Sequence, residues 1–267
     1  MKYFFVIFCA LTPLYGNAQI QNDGIKVSYN YNHYSPTGTE INSQMLLISS
    51  KDGSKFFSPL NEKVDSMMST TEGRIAYSQM MQAAMAKNEV SNLPIKKEPL
   101  YVIKSKKDSL TFVYDLVGTD YWYYIEPLRP QEWEITDSKE NILGYDCFFA
   151  TCNYRGRDWK AWFTTEIPIQ DGPWKLNGLP GLILKAEDST GRYSFVADGI
   201  QQTSQNIYHI YGKENYEKTD RIKYLQNMRA FINNPLENLK ASTGSEMPSI
   251  PKIEINDNYD FIETDYH

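Results

Sequence analysis

Apolar side chains at every second position mark the early part of this chain, and they restrict its backbone more than any other feature. In GIKVSYNYNHY, Gly24 to Tyr34, residues Ile25, Val27, Tyr29 and Tyr31 share one side and polar residues the other. That period is the period of a half-buried β-strand. SPTGTE then reads as a turn, and QMLLIS with GSKFFSP as a hairpin turned at Lys51-Asp52-Gly53. Twenty tyrosines, twelve phenylalanines and five tryptophans in 267 residues favour pleated surfaces of this kind. At this length one β-rich domain around one core is expected.

Strands resume in LYVIKSKKDSLTFVYDLVGTDYWYYIEP, around a polar turn from Ser105 to Ser109. ENILGYDCFFATCNYRGRDWKAWFTTEIPI predicts a hairpin turned at Arg155-Gly156-Arg157-Asp158, and RYSFVAD a strand after the turn Asp188 to Gly191. Between Asn61 and Lys87 the texture becomes helical, as one long helix or two shorter ones broken near Thr70–Gly73. Its methionine stripe, with Met67, Met68, Met80, Met81 and Met85, is expected to pack into the core. KENYEKTDRIKYLQNMRAFINNP predicts another helix, with Ile222, Leu225, Met228 and Ile232 as its buried stripe. Its opposite face carries Lys218, Arg221, Lys223 and Arg229, which would meet an acidic tail or an anionic lipid surface. The order of elements predicts an α+β fold, one antiparallel and curved β-sheet with helices packed across one face.

The two ends read differently from the middle. Met1-Lys2, the apolar run Tyr3–Leu14 and Gly16-Asn17-Ala18 have the three parts of a secretory signal peptide cleaved near Ala18. The expected division is therefore 1–18 signal peptide, 19–240 one α+β domain, and 241–267 a polar linker with an acidic C-terminal tail. The protein is then exported, to the periplasm or beyond the cell. No other segment approaches the roughly eighteen apolar residues of a spanning helix. A net charge of -6 and a pI of about 5.2 argue against nucleic-acid partners. Cys147 and Cys152, five apart in a strand, would stand roughly 16 Å apart when extended. Pairing would need a bulge or turn near Phe149-Ala150, so two buried thiols are expected.

Catalytic signatures are missing. The chain has no G-x-S-x-G elbow, no H-E-x-x-H and no phosphate-cradling G-x-x-x-x-G-K-[ST]. His33, His209 and His267 have no ligand spacing to the cysteines, so neither a metal nor another cofactor is expected. Asp and Glu are plentiful enough for a hydrolase, but no spacing singles out a pair.

One stretch is unusually fixed. In GPWKLNGLPGLILKAED, Gly172 to Asp188, Leu179-Pro180-Gly181-Leu182 fits a type II turn, with proline second and a positive-φ glycine third. Gly178 before it permits a close backbone approach. Leu182-Ile183-Leu184 then enters the sheet as a buried strand. Gly178, Leu179, Pro180, Gly181, Leu182 and Ile183 together resemble the naming hexapeptide of the GLPGLI family, exported proteins found largely in Bacteroidota-type Gram-negative bacteria. Trp162-Phe163-Thr164, Ile167-Pro168, Gly172-Pro173 and Cys147 also stand where that family usually has them. The resemblance covers about forty residues and implies no established activity.

Two classes of function remain open on this reading. One is a non-catalytic binding or carrier protein of the cell envelope, whose layout is similar to lipoprotein-carrier folds. Its partner would be an apolar ligand (lipid, lipoprotein or peptide) or an outer-membrane protein. The other is a secreted hydrolase using Asp or Glu, and a carbohydrate-binding module is a variant of the first. Arg157, Trp162 and Trp174 are the candidate edge of a ligand groove, with the guanidinium meeting a carboxylate or phosphate head.

Overall fold

Ile25, Val27, Tyr29 and Tyr31 are buried on one side of β1 (Gly24–Tyr34), as their spacing predicts. The structure, a computed structural model, describes residues 24–89, 93–235, 255–256 and 259–266. The leader Met1–Ala18 lies outside the described residues, as does the stretch 236–254. Eleven further strands follow: β2 (Glu40–Ser50), β3 (Gly53–Phe57), β4 (Tyr101–Ser105), β5 (Leu110–Val117), β6 (Asp120–Pro127), β7 (Glu134–Ile142), β8 (Tyr145–Tyr154), β9 (Arg157–Thr164), β10 (Leu182–Asp188), β11 (Ser194–Thr203) and β12 (Glu217–Lys218). They form one open, curved sheet in the order β12-β6-β5-β4-β3-β2-β1-β11-β10-β9-β8-β7. All pairs are antiparallel except β12 with β6, which run parallel.

The helices do not share one face. Val27, Leu47, Val102 and Val113 belong to one hydrophobic cluster, on what we call the front. Ile48, Phe57, Tyr101 and Tyr114 belong to another, on the back. β3 and β4 are buried along their whole length, so both faces need cover. α1 (Pro59–Met68) supplies part of it on the back: Glu62 pairs with Lys55 at 2.5 Å, and Asp65 accepts from the Tyr101 hydroxyl at 2.6 Å. α3 (Arg221–Asn233) lies on the front, where Tyr224 and Leu225 are buried. The expectation of helices across one face is corrected accordingly.

Two apolar stripes also depart from expectation. Thr70 caps α2 (Thr71–Lys87) by accepting from the Gly73 N–H at 3.0 Å, so the predicted break near Thr70 is real. Yet α2 buries none of its residues; Met80 is 41% and Met85 61% exposed. This helix packs on α1 rather than on the sheet, whose back is already filled by α1 and by Ile207, Ile210 and Tyr216. In α3, Ile222 is 39% exposed and Tyr224 takes its place inside. Asp220, accepting from the Lys223 N–H at 2.8 Å, starts that helix and sets its phase.

The acidic end of the chain folds back onto the front. Phe261, Glu263 and Tyr266 are buried there, and the basic face of α3 meets them through Arg221 with Glu263 (2.5 Å) and Arg229 with Asp260 (2.7 Å). Cys147 and Cys152 are free and buried, and burial pushes their thiols up to about 11 and about 12.

The Pro180 corner is rigid by a different device from a type II turn. The Gly181 N–H donates to the Leu179 carbonyl at 2.8 Å, which closes a three-residue turn on Pro180. The left-handed φ falls on Gly178, at +93°. Gly181 is needed for space instead, since a Cβ there would overlap the Thr164 carbonyl oxygen. Gly181→Ala is therefore expected to cost about 1–3 kcal/mol. Gly144, at φ +86° with no atom within 4 Å of its would-be Cβ, is the comparison. Gly144→Ala should cost only about 1 kcal/mol, from backbone strain alone. Urea midpoints of the two variants test this, and equal midpoints would remove the close approach as the reason for glycine.

Candidate binding site

The segment before the Pro180 corner crosses the front of the sheet, held by two buried lysines. Lys104, pointing up from β4, donates to the carbonyls of Gly172 (2.8 Å) and Leu176 (3.1 Å) and pairs with Asp171 at 2.6 Å. Burial works against both charges. Lys104 is lowered by it, whereas Lys104 and the Ser49 hydroxyl (2.7 Å) overcome it at Asp171 and hold that carboxyl below the ordinary range. Lys175 points the other way, to Glu263 at 2.5 Å, Glu126 at 2.9 Å and the Tyr124 hydroxyl at 2.9 Å. Between them Trp174 sits at φ +52°, a left-handed conformation that a bulky residue adopts only under constraint.

The three residues singled out from sequence have different surroundings. Arg157 is buried, pairs with Asp188 at 2.9 Å and donates from Nε to the Phe261 carbonyl at 2.8 Å. It clamps the C-terminal segment to the sheet. Trp162 lies against Phe149 (5.1 Å) and under the Lys185 ammonium (4.0 Å). Trp174 is on the front, tilted against Trp159 with ring centres 5.6 Å apart, and it borders a cavity.

That cavity, about 240 Å³, lies on the front between the sheet, the segment at Glu98–Leu100, α3 and residues 259–263. Leu100, Val113, Met228 and Ile262 give it an apolar wall, and Tyr31, Tyr193, Tyr224 and Tyr259 a ring of aromatics. Its polar groups come from distant parts of the chain. His33 Nε2 and Glu98 are 2.8 Å apart, and Ser43 donates to the same carboxylate at 2.9 Å. Asp115 accepts from the Leu116 N–H at 2.7 Å and from the Tyr224 hydroxyl. Burial pushes Asp115 up to about 6 against those two donors, and the nearby charge of Glu98 adds to the rise. His33, Glu98, Asp115 and Tyr224 carry no motif, and sequence reasoning passed over all four as site residues. A wider cleft of about 500 Å³ on the back contains Lys96 and Asp65, which are paired with each other. Among the described residues no group of His, Cys, Asp and Glu could hold a metal ion.

The family described as "Protein of unknown function (Porph_ging)" matches residues 154–185. The chain carries the signature block of the GLPGLI family. Its fold is similar to that of PNGF-II solved in space group P21, with a TM-score of 0.52 and 16% identity over 78% of this chain and 33% of that one. PNGF-II solved in space group C2 gives a TM-score of 0.50 at 16% identity, over 77% and 32%. This chain thus spans about a third of the length of those structures. A looser likeness joins it to the LolA superfamily protein NE2245 from Nitrosomonas europaea (TM-score 0.28, 9% identity, 73% of this chain and 92% of that one). No curated protein matches the chain. In the fold, the GLPGLI block is the strip that covers the front of the sheet and presents Trp174 to the cavity.

Asp115 gives a pH prediction. Its folded value of about 6 lies above the ordinary 3.8, so between the two the native protein keeps a proton that the unfolded chain releases. Stability then falls as pH rises through that window and stays lowered above it. Asp115→Asn cannot ionise, and is expected to exceed the parent by about 1–3 kcal/mol at pH 7.5 and to match it near pH 4. Thermal unfolding at both pH values measures this. A variant that is less stable at pH 7.5 would contradict it.

Proposed function

We propose that the protein is an exported, envelope-associated binding or carrier protein without catalytic activity, and that its ligand has an apolar body held in the front cavity. The observation that carries this reading is the cavity itself. Its walls are mainly aromatic and aliphatic, and a few polar groups converge on it, as in small-molecule sites generally. The strip from Asp171 to Leu179 already fills much of the front, where Trp174, Leu176 and Leu179 are buried in the core. The remaining space suits a compact ligand better than a whole acyl chain or a folded lipoprotein. Support for export is the leader-like pattern of Met1–Ala18. No helix among the described residues is long and apolar enough to cross a membrane.

Indole, an uncharged bicyclic probe, tests the reading by ligand-observed NMR. Saturable binding is expected to the parent, and loss of about tenfold or more in affinity in Met228→Trp, whose larger side chain fills the cavity edge. Met228 is only partly buried, so that variant should still unfold cooperatively. A parent protein that shows no saturable indole binding, or a Met228→Trp variant that binds as well as the parent, would defeat the proposal.

A further inference from the structure

The charges around the front cavity are one-sided. Three carboxylates line it, Glu98, Asp115 and Glu263, and among the described lining residues there is no lysine or arginine. Two of the three are already matched. Glu98 is hydrogen-bonded to the His33 imidazole at 2.8 Å, a counter-charge when that ring is protonated, and to the Ser43 hydroxyl at 2.9 Å. Glu263 has Lys175 and Arg221, both at 2.5 Å. Asp115 is different. It is only 7% exposed, and its described partners are the Leu116 amide and the Tyr224 hydroxyl, both neutral donors. A desolvated carboxylate without a counter-charge is costly, and such groups are normally paired.

The rings of the same shell already accept cations. The Arg157 guanidinium lies 4.7 Å from the Tyr193 centroid, and the Lys175 ammonium 5.6 Å from that of Trp174. Each of these cations has its own carboxylate away from Asp115, namely Asp188 for Arg157 and Glu126 with Glu263 for Lys175. They show what the rings favour without neutralising Asp115. An anionic ligand would face three carboxylates and, among the described lining residues, no lysine or arginine. A neutral one would leave the Asp115 charge unmatched. An organic cation would supply the missing charge and meet tyrosine faces as it entered.

Resting on the cavity-binding reading above, we infer that the ligand class is a protonated amine on a compact aromatic or cyclic body, with its ammonium group at Asp115 and its body among Tyr31, Tyr224, Met228 and Tyr259. A volume of about 240 Å³ is enough for such a molecule.

Three probes of one size separate the charge classes: 2-phenylethylammonium, 2-phenylethanol and phenylacetate, each titrated at pH 7.5 into the intact protein and followed by calorimetry. The amine is expected to bind about tenfold tighter than the alcohol, and phenylacetate more weakly than both. Asp115→Asn should lower amine affinity about tenfold, to the level of the alcohol, and leave alcohol affinity within about threefold of the parent. Asp115→Glu, which restores the charge, should recover most of the amine preference. The inference is overturned if the amine binds no better than the alcohol, if phenylacetate equals it, or if Asp115→Asn leaves amine affinity unchanged. Indole binding with no amine preference would sink this inference and keep the binding reading. Failure of indole and of all three probes would sink both.

Discussion

Lys104 rises from the middle of the sheet into a strip of chain with little regular structure of its own, and most of the front depends on what it finds there. An open sheet with apolar residues on both faces must be covered, and on this face the cover comes largely from the GLPGLI block. Loops make poor covers because their backbone groups need partners. Lys104 supplies them, satisfying two carbonyls and Asp171 with one ammonium group. Removing one partner of such a buried pair typically costs about 3–5 kcal/mol, a large share of the 5–15 kcal/mol that holds a domain together. Trp174, Leu176 and Leu179 can be core residues because that anchor fixes the strip above them.

A second ionic group joins elements that are far apart in sequence. Glu263 takes Lys175 from the signature strip and Arg221 from α3, so the C-terminal segment, the helix and the strip are locked at one carboxylate. Those two cations hold Glu263 below the ordinary carboxyl range although burial alone would raise it. The front cavity sits beside this junction and borrows a wall from each part. Its Asp115 has the opposite character, raised by burial and bonded, among the described residues, to neutral donors. One carboxylate thus pays into the fold, while its neighbour is better explained by a ligand.

The sheet was legible in the sequence wherever one face alternates. β1 declares itself through Ile25, Val27, Tyr29 and Tyr31, and the hairpin of β8 and β9 turns at Arg155-Gly156 as its glycine suggests. β7 was not legible, because an edge strand exposed along nearly all its length has no apolar period to show. The Pro180 corner was visible as a corner, but which glycine bends and which merely makes room depends on Thr164, outside the motif. The methionines of α2 have the composition of a core and none of its burial, since periodicity cannot say whether the facing surface is already occupied. The cavity was the least legible part. His33 and Glu98 are 65 residues apart, and Asp115 and Tyr224 are 109 apart, so the fold alone brings them together.

The place of β1 has a consequence for how the chain assembles. It is the first described strand, yet it lies in the interior of the sheet, with Gly24 opposite Ser50 on one side and Thr203 on the other. The first pairing is local and can form early. The second waits for β11, and pairing across so long a stretch of chain slows folding. During that delay β1 presents a bare row of amides and carbonyls beside Val27 and Tyr29, the sort of template on which chains join one another by mistake. The polar members of the strand, Lys26, Ser28, Asn30 and Asn32, reduce the apolar length of that exposed edge. Until Thr203 is in place, the middle of the finished sheet is still its border.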